Sequence, residues 1–251
     1  MNVGVRGSAR RLGPMRNTAG WVLAISLVAP LAFAADPEPT STDQHDAALF
    51  LVPLLAPKAP VVDGRLNEDG WGNSAGVEHL YVAGSPKHAP SRATEVYVTI
   101  DAENLFVAFR CGEPYLERRK RTAKGRDVET IGQDDSVTVQ LQPPGDAKGT
   151  YYEVTVSSSG AVALTQHAQK TKAWNAGGIQ VAARDAMGGW VVELRVPFKA
   201  LGRGTPEAGE VWRANFSRHI ATVEPEEHAT WARLPTPDIH QPEHFAELRF
   251  E

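Results

Sequence analysis

The chain has 251 residues, 42% hydrophobic and 22% charged, and a formal net charge of −4. That size and balance suit one large globular domain, or a domain with a tail. The acidic balance argues against nucleic acid or an anionic membrane as partner, and the single cysteine, Cys111, excludes an internal disulfide and a cysteine-based metal site.

The first 34 residues read as a secretory signal. Arg6, Arg10, Arg11 and Arg16 form a positive, acid-free start, Trp21 to Phe33 an apolar run, and Ala32-Phe33-Ala34 a small-residue cleavage site. Leu12-Gly13-Pro14 is a poor continuation of the Arg10-Arg11 pair, which favours ordinary secretion over twin-arginine export. The apolar run is too short for a comfortable membrane span, so no stable membrane insertion is expected. Loss of the leader, with its four arginines and no acid, takes the net charge from −4 to −8. The expected location is secreted or periplasmic. Residues 35–56 read as a flexible linker, polar and Pro-Ser-Thr-rich from Asp36 to Asp46, with an edge strand in Leu49 to Leu55 broken by Pro53. The folded domain is expected over 57–251.

From Pro60 onward the pattern is strand after strand. Thr94 to Ile100 alternates Val96, Val98 and Ile100 against Glu95, Tyr97 and Thr99. Asp101 to Asn104 is turn chemistry, and Leu105, Val107 and Phe109 return as the hairpin partner. Cys111 on that strand reads as a small core residue. Pro114 to Ile131, with six basic residues, reads as a solvated loop. Val137, Val139 and Leu141, then Tyr152, Val154 and Val156, then Val162 and Leu164 mark three more strands with turns at Pro143 to Asp146 and at Gly160. Trp174 lies in a polar loop beside Asn175. Trp190, Val192, Leu194 and Val196 alternate with Val191, Glu193 and Arg195 until Pro197; Phe198 to Leu201 makes one helical turn. Trp212, Ala214 and Phe216 then oppose Arg213, Asn215 and Ser217. Trp190 and Trp212 are expected on neighbouring strands, with Glu193, Asn215 and Arg218 facing outward to a ligand. The fold class is all-β: an antiparallel β-sandwich of jelly-roll or immunoglobulin-like layers with few short helical turns.

Several strings in this order resemble family 9 carbohydrate-binding modules. Val62-Asp63-Gly64-Arg65-Leu66-Asn67-Glu68 with Trp71 is similar to that family's opening "DGxLxExxW". Thr94-x-Val96 with Asp101-x-x-Asn104-Leu105-Phe106, and Gln133-Asp134-Asp135-Ser136-Val137, resemble its hairpin and its "DDSVE" strand. Trp190-Val-Val-Glu193 to Pro197-Phe198, Trp212-x-x-Asn215-Phe216-x-Arg218, and His240-Gln241-Pro242-Glu243-His244-Phe245-Ala246-x-Leu248 resemble its later strands and its close. The likeness runs over roughly residues 57 to 251. It implies a β-sandwich related in shape to DOMON domains, binding of sugar-chain ends between two tryptophans, structural calcium, and no catalysis; family members usually accompany glycoside hydrolases. This chain departs from the pattern at the clamp. Gly132 stands where one tryptophan precedes the "DSVE" strand, Ile239 and His240 stand where the other precedes the final proline, and Thr138 replaces the strand-end Glu.

The resulting expectation is a secreted, non-catalytic module that binds a glycan or related polyol, in support of polysaccharide degradation. Trp174 and Trp231 are the spare aromatics for stacking. Asn175, Asp134, Glu153, Arg218 and His240 could surround such a slot. Asp63, Asp101 and Asp135, with Glu68 and Asp134, are the turn or strand-end carboxylates for structural calcium, although no EF-hand spacing occurs. No nucleotide cofactor is expected, and the module is expected to be a monomer. His240-Gln-Pro-Glu243-His244 fits the inverted zinc-protease string, which requires a helix that Pro242 opposes. Asp134, Glu153 and Glu193 are the carboxylates a hydrolase would pair. The alternatives are a DOMON-type haem-binding domain using His219, His228, His240 or His244, and a purely structural or interaction domain.

Overall fold

The structure, a computed structural model, describes residues 50–251 except 57, 68, 78, 127–129, 169–171 and 175–176. The leader, most of the linker, Glu68 and Asn175 therefore lie outside the described residues. The strands in chain order are β1 (Phe50–Leu51), β2 (Leu54–Leu55), β3 (Ala75–Val77), β4 (Tyr81–Val82), β5 (Thr94–Ile100), β6 (Asn104–Gly112), β7 (Ser136–Gln142), β8 (Tyr151–Ser157), β9 (Val162–His167), β10 (Lys172–Ala173), β11 (Gln180–Ala186), β12 (Gly189–Pro197), β13 (Val211–Ile220), β14 (Glu227–Thr230) and β15 (Ala246–Arg249). Between them lie only short 3-10 turns, including Phe198–Leu201, which Gly202 closes in the left-handed conformation at φ 69°. Among the described residues no helix is long and apolar enough to cross a membrane.

The strands form two sheets. The larger runs β1-β15-β13-β7-β8-β9-β10, with β14 and β4 added on β13; the smaller runs β11-β12-β6-β5-β2, with β3 on β5. The long pairings are antiparallel. Two short ones are parallel: β1 joins β15 in the larger sheet, and β2 joins β5 in the smaller. The single edge strand expected around Pro53 is thus two strands in two sheets. Proline cannot donate to a ladder, and the chain changes sheets there.

Strand alternation builds the core as expected. Val96, Val98, Val107, Phe109, Val192 and Leu194 of the smaller sheet face Val137, Val139, Val154, Val156 and Phe216 of the larger. The β5–β6 hairpin is closed by Asp101, whose Oδ1 accepts the backbone N–H groups of Glu103 and Asn104, each at 2.7 Å. Trp190 and Trp212 are not on neighbouring strands. They belong to opposite sheets, because β12 pairs with β6 and β13 with β7. The two indoles also serve different places. Trp212 meets Phe198 and Phe250 edge-on, at 5.8 and 5.2 Å between centroids, whereas Trp190 lies 5.6 Å from the Arg218 guanidinium. Cys111 is fully buried, and burial pushes its thiol up to about 12, so it stays protonated as a core residue.

Candidate functional site

A two-layer sandwich has two outer faces, and a ligand can meet only one that is left open. On the smaller sheet the outward row is Tyr97, Ala108 and Glu193, brought side by side by strand register. The segment that follows Pro60 folds over this row. Trp71, with Val62 and Leu66, packs on Phe106, Ala108 and Tyr97 as a second small core. Glu193 holds it down: Oε2 accepts the N–H groups of Asp63 and Gly64 at 2.8 and 2.7 Å, and Oε1 accepts Trp71 Nε1 at 2.9 Å. Gly64 is needed there. Its φ is +84°, and an added Cβ would lie 2.9 Å from Arg184 Cβ.

On the larger sheet the outward row is Ser136 and Thr138 of β7, Glu153 and Thr155 of β8, Ala163 and Thr165 of β9, and His219 of β13. Register sets Thr138 opposite Thr155 and Ser217, and Glu153 opposite Gln140 and Thr165. This row floors an open cavity of about 330 Å³. Ile131 and Gly132 form one wall, His228 lies beside His219, and Pro237 to His240 form the other. The threonine hydroxyls of Thr138 and Thr155 are 3.1 Å apart.

Glu153 is the charged centre of the slot. Gln140 Nε2 donates to its Oε2 at 3.0 Å, and His167 Nε2 and His240 Nδ1 each lie 3.4 Å from the same oxygen. Burial pushes the carboxyl up, but His167, His240 and the Gln140 hydrogen bond outweigh it, so its pKa is lowered and the group stays ionised. Tyr151 stacks on His167 at 4.3 Å between centroids and bonds His240 Nδ1 at 2.8 Å. His219 and His228 stack at 4.6 Å. His228 is pulled down to about 4 by burial first, then by the nearby charges of His219 and His240, against Glu226 and Asp238.

A sequence profile for the carbohydrate family 9 binding domain-like family matches residues 62–247 of this chain. The chain belongs to that family. Solved structures share the fold. A proposed carbohydrate-binding protein of Bacteroides uniformis superposes with a TM-score of 0.65 at 15% identity, over 82% of this chain and all of that one. A family 9 carbohydrate-binding module of Caldicellulosiruptor kristjanssonii in complex with cellotriose gives 0.59 at 16% identity, over 81% of this chain and 94% of that one. The same organism's module in complex with glucose gives 0.59 at 17%, over 80% and 95%. No curated protein matches the chain.

Against the family pattern, both clamp positions fall on the slot: Gly132, Ile239 and His240 line it, with Thr138 on its floor. The slot is therefore built without tryptophan. Several expected ligand residues are committed elsewhere. Trp174 is buried; its Nε1 donates to Ala200 O at 3.1 Å and its ring packs on Tyr152. Trp231 is buried and stacks on Phe216 at 5.2 Å. Arg218 shares the inward parity of Trp212 and Phe216. Fully buried, its Nη1 donates to Ala93 O and Gly112 O, at 3.2 and 3.0 Å, and its Nη2 lies 3.4 Å from Glu113. It ties one sheet to the other. Asn215 is closed in by Gln140 and the Ala232 N–H. Of the outward residues expected to meet ligand, Glu193, Asn215 and Arg218 thus meet only protein.

Asp134 and Asp135 pin the basic loop. Asp134 accepts Thr122 N, Ala123 N, Thr122 Oγ1 and Ser157 Oγ. Burial raises its pKa, and these hydrogen bonds outweigh that to lower it. Asp135 accepts Lys120 N and Ala221 N, while burial raises its pKa. Asp63 caps Arg65 N, and Asp101 caps its own turn. Asp63, Asp101 and Asp135 are not brought together: among the described residues the one cluster of metal-ligating side chains is Glu153, His167 and His240. His244 ends a three-residue 3-10 turn, so the helix required by the protease string is lacking. The face-to-face stack of His219 on His228 leaves no room for a macrocycle between them. No motif in the sequence marks His167. Its signal is the period of β9, where Ala163, Thr165 and His167 oppose Val162 and Leu164.

A second, larger cavity of about 580 Å³ lies on the outer face of the smaller sheet beside the covered row, where Glu95, Arg110 and Arg184 stand in register, and is walled by Arg65 and the Asp185–Trp190 turn. Its arginines and acids are mainly solvated surface groups; the Arg110–Glu95 pair at 3.5 Å is about half exposed on both sides. The smaller slot gathers more partly buried polar groups onto one rigid sheet, which is the better binding geometry.

Proposed function

We propose that this chain is an exported, non-catalytic module that binds a glycan or related polyol in the slot on the larger sheet. One observation carries the reading: Gly132 and the Ile239-His240 pair, at the family's two clamp positions, line the same cavity as the open polar row of Thr138, Glu153 and Thr155. A polyol needs planar or hydroxyl partners at fixed spacing together with a flat apolar face. Here the threonines and Glu153 supply the first, and Ile239 with the half-exposed His240 ring supplies the second. The cellotriose and glucose complexes of the Caldicellulosiruptor kristjanssonii module support the ligand class. Of the three carboxylates that a hydrolase would pair, Asp134 and Glu193 are spent on the protein's own hydrogen bonds, which supports a binding role. The leader pattern supports export, and export supports a place beside enzymes that degrade polysaccharide.

The test is a glycan array followed by titration of the strongest ligand. His240→Ala should weaken binding by roughly tenfold, about 1.4 kcal/mol, with the melting temperature within a few degrees of wild type. Array binding that is the same in His240→Ala and in Glu153→Gln would contradict the slot, and no binding to any glycan would contradict the ligand class.

A further inference from the structure

We propose that Glu153, His167 and His240 form a binding site for a divalent transition-metal ion, best matched to Zn²⁺. Each offers one ligand atom, and the three lie within 4.8 Å of one another. The donor set is two imidazoles and one carboxylate, the mixture that borderline ions such as Zn²⁺ take and that Ca²⁺ does not. The spacing fits as well. Two ligands held about 2.0–2.1 Å from a tetrahedral ion lie about 3.4 Å apart. Glu153 Oε2 is 3.4 Å from His167 Nε2 and 3.4 Å from His240 Nδ1.

Two further observations point to an ion rather than to simple ion pairing. His167 Nε2 is buried and its contact with the Glu153 oxygen, at 3.4 Å, falls short of a well-formed hydrogen bond. A buried imidazole nitrogen so loosely paired is costly, and an ion between the two would satisfy both. The supporting groups are also in place. Gln140 Nε2 donates to the Glu153 carboxylate at 3.0 Å, and Tyr151 stacks flat on His167, which fixes both ligands from behind. Tyr151 Oη lies 2.8 Å from His240 Nδ1 and so braces that ring as well. All three ligands stand on rigid supports: β8, the end of β9, and a loop packed on Tyr151. The inference rests on these side chains alone and does not depend on the glycan reading.

The experiment uses tag-free full-length protein stripped with a chelator, then titrated with Zn²⁺ alone and, separately, with Co²⁺. Wild type should bind one equivalent of Zn²⁺, and Co²⁺ should give the intense visible absorption of a four- or five-coordinate site. His240→Ala, at an accessible position, and His167→Ala should each weaken Zn²⁺ by more than the roughly 100-fold reached when only outer-shell groups are changed. His79→Ala, at an exposed histidine outside the cluster, should leave the affinity unchanged. Cooperative melting of each variant shows that the fold is intact, and the exposed His240 position keeps the test decisive if His167→Ala does not fold. Zn²⁺ bound equally by wild type and His240→Ala, or no stoichiometric binding by wild type, would overturn the site.

Discussion

The two outer faces of the sandwich are built alike and end differently. Each carries a glutamate on a central strand, Glu193 on β12 and Glu153 on β8. Glu193 is covered by its own chain and saturated by two backbone N–H groups and an indole. Glu153 is left at the floor of an open slot, held by Gln140 and two histidines. A buried outward carboxylate can thus be either an anchor or a site. What decides is whether its partners come from the protein's backbone or from side chains that also face solvent.

The strongest way to break this contrast is to attack the residues assigned to structure. Trp174→Ala should cost about 3–5 kcal/mol of stability, as truncation of a buried aromatic does. Denaturant unfolding reads that loss, and slot affinity measured well below the transition should not move. Glu193→Ala should cost about 3 kcal/mol or more, because three donors lose a charged acceptor, again with slot affinity unchanged. A loss of glycan binding with the fold intact would mean that the covered face takes part in recognition, for Glu193→Ala, or that the core around Tyr152 does, for Trp174→Ala.

The open face should betray itself through pH. His228 is held at about 4 in the folded chain, against about 6.5 when unfolded. Between those values the unfolded chain takes up a proton that the folded chain refuses. Stability should therefore rise as pH goes from about 4 to 6.5, by up to about 3 kcal/mol, and fall as the slot is acidified. His228→Gln should flatten that part of the curve, measured by unfolding at stepped pH. The smallest effect sharpens the slot itself. Gly132 is exposed with nothing within 4 Å of an added Cβ. Gly132→Trp should fold normally and restore one stacking face, raising glycan affinity by about 1 kcal/mol, or roughly fivefold.

Much of the architecture was legible in the sequence, because period-2 alternation is a direct record of which side chains face the core. Val137, Val154 and Val192 sit where that period puts them. Alternation is silent about what covers the other face. Glu193 and Asn215 have outward parity, yet the segment after Pro60 and the Trp231–Ala232 turn close over them. Arg218, expected outward as a charged residue, shares the parity of Trp212 and Phe216, and its guanidinium ties the two sheets together. Trp174 misled for a related reason: its neighbours in sequence are polar, but a long side chain from a loop can reach back to Tyr152 in the core. Of the candidate site, Glu153 and His240 were legible as polar groups at the slot, and Gly132 as a missing clamp. The His167 contribution emerged only when β8 and β9 were set in register.

Ligand is expected to meet the outer face of the larger sheet. Hydrogen–deuterium exchange of the full chain, with and without the strongest array glycan, tests it most directly. Protection is predicted in Ile131–Thr138, Glu153–Thr165 and Pro237–His240. Protection confined to Gly64–Asn67 and Arg184–Trp190, around the larger cavity, would contradict it.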